Sequence, residues 1–164
     1  MDQINWCLDK RKGIEMVEPN DNLREAYLLK ADEALEVLRI AKIKDWQLTT
    51  AYYAMYHGLY SILMKMGIKC EIHTCTIEFA KSFLKSHFTS EDFVLLEKAF
   101  TARNDAQYYV NRKIKDEDYQ LILKKAPAFL VKCKNTIIEQ KEIKAIRENL
   151  QERRKALIAS ANKS

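Results

Sequence analysis

Arg103 lies in the stretch FTARNDAQYYVNR, from Phe100 to Arg112, with Phe100, Leu96 and Phe93 behind it at helical spacing and Gln107 ahead of it. Its guanidinium is therefore in line with side chains that should be buried. A guanidinium keeps its charge and is rarely buried alone, so the residue must pair with a carboxylate, line a cleft or receive an anionic ligand. Glu97, or Asp105 of another chain, would be the carboxylate partner. Asn104 and Tyr108 share a face at spacing four, whereas Arg103 and Tyr108 stand about 140° apart on a regular helix. The two converge only if the helix ends near Gln107 or if two chains meet.

The remaining chemistry-bearing residues are few. The three histidines are His57, His73 and His87, and none follows a glutamate by three positions, which excludes the Glu-x-x-His pairs of di-iron bundles. His57 shares a helical face with Tyr53 and Tyr60, where an imidazole serves as an acid, a base, a stacking partner or a hydrogen-bonded structural residue. The run Cys70-Glu71-Ile72-His73-Thr74-Cys75 puts two thiols and an imidazole close together, but it lacks a fourth donor and paired C-x-x-C spacing. No metal site is expected there; buried cysteines beside a helix start are the reading. With no G-x-G-x-x-G and no P-loop, a dinucleotide enzyme or an NTPase of the usual designs is excluded and no cofactor is expected.

These residues must be carried by helices. Only three glycines and two prolines occur in 164 residues, and 48% of the chain is hydrophobic, which suits one all-α domain with a real core. The spacing predicts a short opening helix ending at Gly13, then a helix capped by Asn22 and Glu25 with Leu23, Tyr27, Ala31, Ala34, Leu38 and Ala41 buried. A third helix runs from Asp45 to Met66 and stops at Gly67. It presents an apolar line (Leu48, Tyr52, Met55, Leu59, Ile62, Met66) and a polar aromatic line (Tyr53, His57, Tyr60). A fourth helix is expected over 76–87, and a fifth, capped by Thr89 or Ser90, carries Arg103 near its end. A sixth begins near Asp116, is kinked at Pro127, and buries Tyr119, Ile122, Ala126, Leu130, Cys133 and Ile137. Long amphipathic helices with short connections make an up-and-down helical bundle, with helices two, three, five and six at its centre.

Residues 1–140 are expected to form the bundle and 141–164 a basic helical extension of the same domain. The extension holds seven Lys or Arg against three Asp or Glu, so most of the net charge of +5 resides there. The four cysteines, the lack of an apolar run after a basic start and the lack of about eighteen uncharged apolar residues in a row predict reduced thiols, no membrane association and a cytoplasmic location.

Three stretches together carry a resemblance: AYYAMYH at Ala51 to His57, GIKCEIHT at Gly67 to Thr74, and RNDAQYY at Arg103 to Tyr109. In order and spacing the chain resembles, over roughly Leu23 to Ile138, the prokaryotic branch of the HEPN domain family (higher eukaryote and prokaryote nucleotide-binding). The resemblance implies a helical bundle that homodimerises, a toxin paired with a minimal nucleotidyltransferase as its antitoxin, and RNA or a nucleotide as ligand. Active members are metal-independent ribonucleases that use an arginine followed, after four to six intervening residues, by a histidine. Arg103 matches the arginine and Asn104 the polar residue after it. Tyr108, Tyr109 and Val110 stand where the histidine would be, and Gln107 replaces an aspartate.

A tyrosine with a pKa of about 10 is a poor base at neutral pH. The catalytic expectation is therefore Arg103 and Tyr108, with His57, ahead of His73, as the substitute imidazole. Asn104, Tyr53, Gln107 and His73 form the expected ligand-binding set. The rival expectation is a non-catalytic dimeric scaffold that holds a partner protein through its C-terminal helix, with Ile146 and Leu150 as anchors.

Overall fold

The computed structural model describes residues 2–161. It is an all-α bundle of seven helices, α1 (Gln3–Asp9), α2 (Asp21–Ile40), α3 (Lys44–Met66), α4 (His73–Phe83), α5 (Ser90–Tyr108), α6 (Asp116–Asn135) and α7 (Gln140–Ala161). The sequence pattern did not foresee one addition: β1 (Ile14–Met16) pairs antiparallel with β2 (Ile68–Cys70), in the register Ile14 to Cys70 and Met16 to Ile68.

Helix α3 is the axis. It packs against α2, α5 and α6, and Leu48, Tyr52, Met55, Leu59, Ile62 and Met66 are all buried, as its apolar line requires. Gly58 lets α6 approach closely, since a Cβ there would lie 2.8 Å from the Leu130 methyl. The helix stops at Gly67 in the left-handed region, φ 70°, whose N–H returns to the carbonyls of Leu63 and Met64. A Cβ on Gly67 would sit 2.4 Å from the Val17 carbonyl oxygen, so both dihedral and space demand glycine.

The α3 C-terminus is closed from the far end of the chain. Arg147 Nη1 lies 2.9, 3.2 and 2.7 Å from the carbonyl oxygens of Val17, Met66 and Gly67, placing a cation at the C-terminal end of α3. Arg154 donates to the Ile14 carbonyl, Arg153 pairs with Asp2, and Ile143, Ile146 and Leu150 are buried. Much of the basic charge in α7 thus clamps the N-terminal segment. The last residues, 162–164, lie outside the described range.

Several boundaries differ from the sequence expectations. Helix α1 ends at Asp9, and Gly13 belongs to the turn into β1, where the chain passes so close to the Cys7 carbonyl that no Cβ fits. The α2 cap is Asn20 rather than Asn22, its side chain accepting from Leu23 N–H at 2.9 Å. The buried stripe is accordingly Leu28, Ala31, Leu35 and Leu38, with Leu23 exposed. Helix α4 spans His73–Phe83, because β2 ends the preceding strand pair early enough for the helix to start at His73. Thr89 and Asp92 form the capping box of α5 as expected. Helix α6 runs through Pro127 to Asn135, and Ile137, expected on its buried side, lies in the link to α7 and is exposed.

The thiol expectation is overturned for two cysteines. Cys7 and Cys75 form a disulfide, because α1 crosses the start of α4 and brings their Cα atoms to 5.6 Å. Cys70 and Cys133 are free and buried. No described helix is long and apolar enough to cross a membrane.

Candidate functional site

Arg103 projects from the last turns of α5 toward the polar aromatic line of α3. The α5 residues behind it behave as core, with Leu96 and Phe93 buried and Phe100 half-buried, so the helix is pinned and the guanidinium reaches across the gap. Its Nη2 donates to the Tyr53 hydroxyl at 2.5 Å and its Nη1 to Asn104 Oδ1 at 2.8 Å. The guanidinium carbon lies 5.2 Å from the Tyr53 ring centre and 5.8 Å from that of Tyr108, within cation–π range. Arg103 Nε is buried and has no hydrogen-bond partner among the described residues.

No carboxylate of the same chain pairs with it among the described residues. Glu97 is engaged by Lys81 at 2.7 Å, and Asp105 of the same chain by Arg112 at 2.7 Å. Arg103 is held by a phenol, an amide and ring faces, none of which neutralises its charge. Arg103 and the Tyr108 ring meet within one chain, as expected of a helix that ends near Gln107: α5 stops at Tyr108 and Tyr109 is extended. Tyr108 itself is 69% exposed.

Tyr53 joins both candidate imidazoles to the arginine. His57 stacks on it with ring centres 5.3 Å apart and planes 21° apart, while His73 meets it edge-on at 6.1 Å. His73, the first residue of α4, also stacks on Tyr56 at 4.2 Å with planes 4° apart, and its Nδ1 shares a hydrogen bond of 2.7 Å with the Tyr52 hydroxyl. Gln107 turns away to donate to Thr49 Oγ1 at 2.9 Å. The structure thus gathers Arg103, Tyr53, Asn104, Tyr108, His57 and His73 around one aromatic wall, and gives Gln107 a tie to α3.

Burial holds both imidazoles neutral. His57 is lowered to about 4 by burial and then by the nearby charge of Lys30, and its Nδ1 is buried without a partner. His73 is lowered to about 4 by burial and then by the charge of Arg103, which makes it the imidazole that feels the arginine directly. Burial also raises the Tyr52 and Tyr56 phenols well above their ordinary value, so they remain neutral hydrogen-bonding groups. Chemically, the wall offers one fixed positive charge with unused N–H donors, a good seat for a phosphate, and no group with a proton affinity matched to neutral pH.

Sequence reasoning missed Tyr52, Tyr56 and Thr49. Tyr52 read as core from its spacing and Tyr56 stood on neither line of α3; only the docking of α4 onto α3 reveals their contacts with His73.

No family model matches the chain. Two proteins of known sequence resemble it. A protein of Methanocaldococcus jannaschii named "Putative toxin" is 29% identical over 130 residues, which is 76% of this chain and 88% of that protein. A UPF0332 protein of Archaeoglobus fulgidus is 29% identical over 90 residues, covering 54% of this chain and 72% of its own length.

Proposed function

We propose that the chain is a HEPN-type, toxin-like protein that binds RNA or a nucleotide, works as a homodimer beside a minimal nucleotidyltransferase, and has weak or lost metal-independent ribonuclease activity. One observation carries the binding part: Arg103 is braced by Tyr53 and Asn104 yet has no carboxylate, and its Nε is buried without a partner. A half-buried, unneutralised cation of this kind is a poor structural choice and a good phosphate receptor. The toxin reading draws support from the name of the Methanocaldococcus jannaschii relative. The weakness of catalysis rests on Tyr108 at the motif histidine position and on two imidazoles held at about 4.

Binding of a fluorescent single-stranded RNA to the full chain across a salt series tests this. Phosphate-led binding falls steeply with salt and is lost on Arg103→Ala. Binding insensitive to both would refute it. The scaffold reading loses its expected anchors, because Ile146 and Leu150 are buried within the chain, and draws instead on exposed Ile40, Ile43 and Trp46 around the α2–α3 turn. Partner capture that survives high salt and Arg103→Ala would favour that reading instead.

A further inference from the structure

Beside Arg103, on the far side of Tyr108, a cavity of about 550 Å³ opens between the first turn of α3 and the connection from α5 to α6. This volume lies within the usual span for small-ligand sites. Its wall combines the rings of Tyr108, Tyr109 and Tyr119 with the cations Lys44, Arg112 and Lys113. Tyr109 is half exposed, and Arg112, fixed by Asp105 at 2.7 Å, lies 3.7 Å from the Tyr109 ring centre, so ring and guanidinium form a preset planar pair. Lys44 stands 4.7 Å from the Tyr119 ring centre and is already paired with Asp116 at 3.1 Å. The α3 N-terminus that borders the cavity has Ile43 at its cap position and no side-chain cap bond.

Flat rings interleaved with cations are what a single-stranded nucleic acid requires: π faces for unpaired bases and positive charge for the backbone. Tyr108 is common to this cavity and to the Arg103 wall, so a strand whose phosphate rests on Arg103 passes directly over it. Asp45, also on the wall, disfavours a second phosphate at that point and suits a donor such as a ribose hydroxyl or a base amino group. Resting on the RNA reading above, we infer that this cavity is a nucleotide subsite: it takes one unpaired base and its sugar from single-stranded RNA, next to the phosphate held by Arg103.

The test uses the full chain and a fluorescein-labelled single-stranded RNA of about twelve nucleotides, followed by anisotropy. Tyr109→Ala should weaken binding about tenfold or more, as loss of one stacked base does. Lys113→Ala should weaken it and lower the salt slope by about one. Lys124→Ala, on the exposed side of α6, should leave affinity unchanged. The same RNA annealed into a duplex should bind more weakly, because paired bases cannot enter the cavity. If Arg103→Ala abolishes binding while Tyr109→Ala and Lys113→Ala match wild type, or if duplex and single strand bind equally, the subsite is refuted and the phosphate site stands. If wild type binds no RNA, the RNA reading falls and the subsite falls with it.

Discussion

Replacing Arg103 with methionine separates a structural arginine from a ligand-binding one. The substitution keeps an apolar stem of similar length and removes the guanidinium. On the losing side are the charge-assisted bond to Tyr53 and the bond to Asn104, together on the order of 2 to 4 kcal/mol, with a further contribution of about 1 kcal/mol from the aromatic faces. On the gaining side, a buried Nε without an acceptor no longer has to be desolvated, on the order of 1 to 3 kcal/mol, and the unneutralised charge leaves the aromatic wall as well. Tyr53 is only half-buried, so water can take over its hydroxyl. The losses exceed the first gain by about 2 kcal/mol and departure of the charge offsets part of that, so the expected loss in unfolding free energy is under about 2 kcal/mol, or roughly 6 °C in Tm for a chain of this size. Urea unfolding followed by far-UV circular dichroism measures it. Breaking a structural buried ion pair instead costs about 3 to 5 kcal/mol. A loss of that size in Arg103→Met would refute the reasoning.

Three further outcomes follow from the same geometry. His57 and His73 have folded pKa values of about 4 against an ordinary 6.5, so the unfolded chain binds protons first. Stability should therefore be full above about pH 6.5 and fall as pH drops toward 4, by on the order of 1 to 2 kcal/mol per residue after allowing for partial solvation; a flat urea midpoint across that range in wild type would contradict it. Gly67→Ala combines the left-handed backbone with a Cβ 2.5 Å from Arg147 Nη1, so a loss on the order of 2 to 4 kcal/mol is expected in denaturant unfolding, and a loss under about 1 kcal/mol would be inconsistent with the Arg147 clamp. Reducing Cys7–Cys75, which closes a separation of 68 residues, should lower stability by about 2 to 4 kcal/mol, read as a shift in urea midpoint with and without dithiothreitol; identical midpoints would argue against the bridge.

Much of the bundle was legible because its signals are local. The buried line of α3, its stop at Gly67 and the Thr89 cap of α5 each depend on residues within a turn or two of one another. Arg103 was conspicuous for the same reason, as a charge on an apolar helical line. What could not be read depends on distant pairings. The β1–β2 pair joins residues more than fifty apart, and the Cys7–Cys75 bridge depends on how α1 crosses α4. Tyr52 looks apolar by spacing, and it and Tyr56 acquire their contacts with His73 only when α4 docks on α3. Composition marks the C-terminal helix as basic but does not show where its charges go: Arg147, Arg153 and Arg154 are spent on carbonyls of Val17, the α3 end and Ile14 and on the Asp2 carboxylate. Composition counts charges but does not show which of them are already satisfied.

The central claim, that Arg103 seats a phosphate in a site without a competent base, is tested most directly by a cleavage time course. End-labelled RNA is incubated with wild type, Arg103→Ala and Tyr108→His in the presence of EDTA. The expected result is RNA left intact, or nearly so, by wild type, no difference on Arg103→Ala, and increased cleavage by Tyr108→His, which introduces an imidazole of suitable basicity on an exposed position. Efficient EDTA-resistant cleavage by wild type that disappears in Arg103→Ala would contradict it.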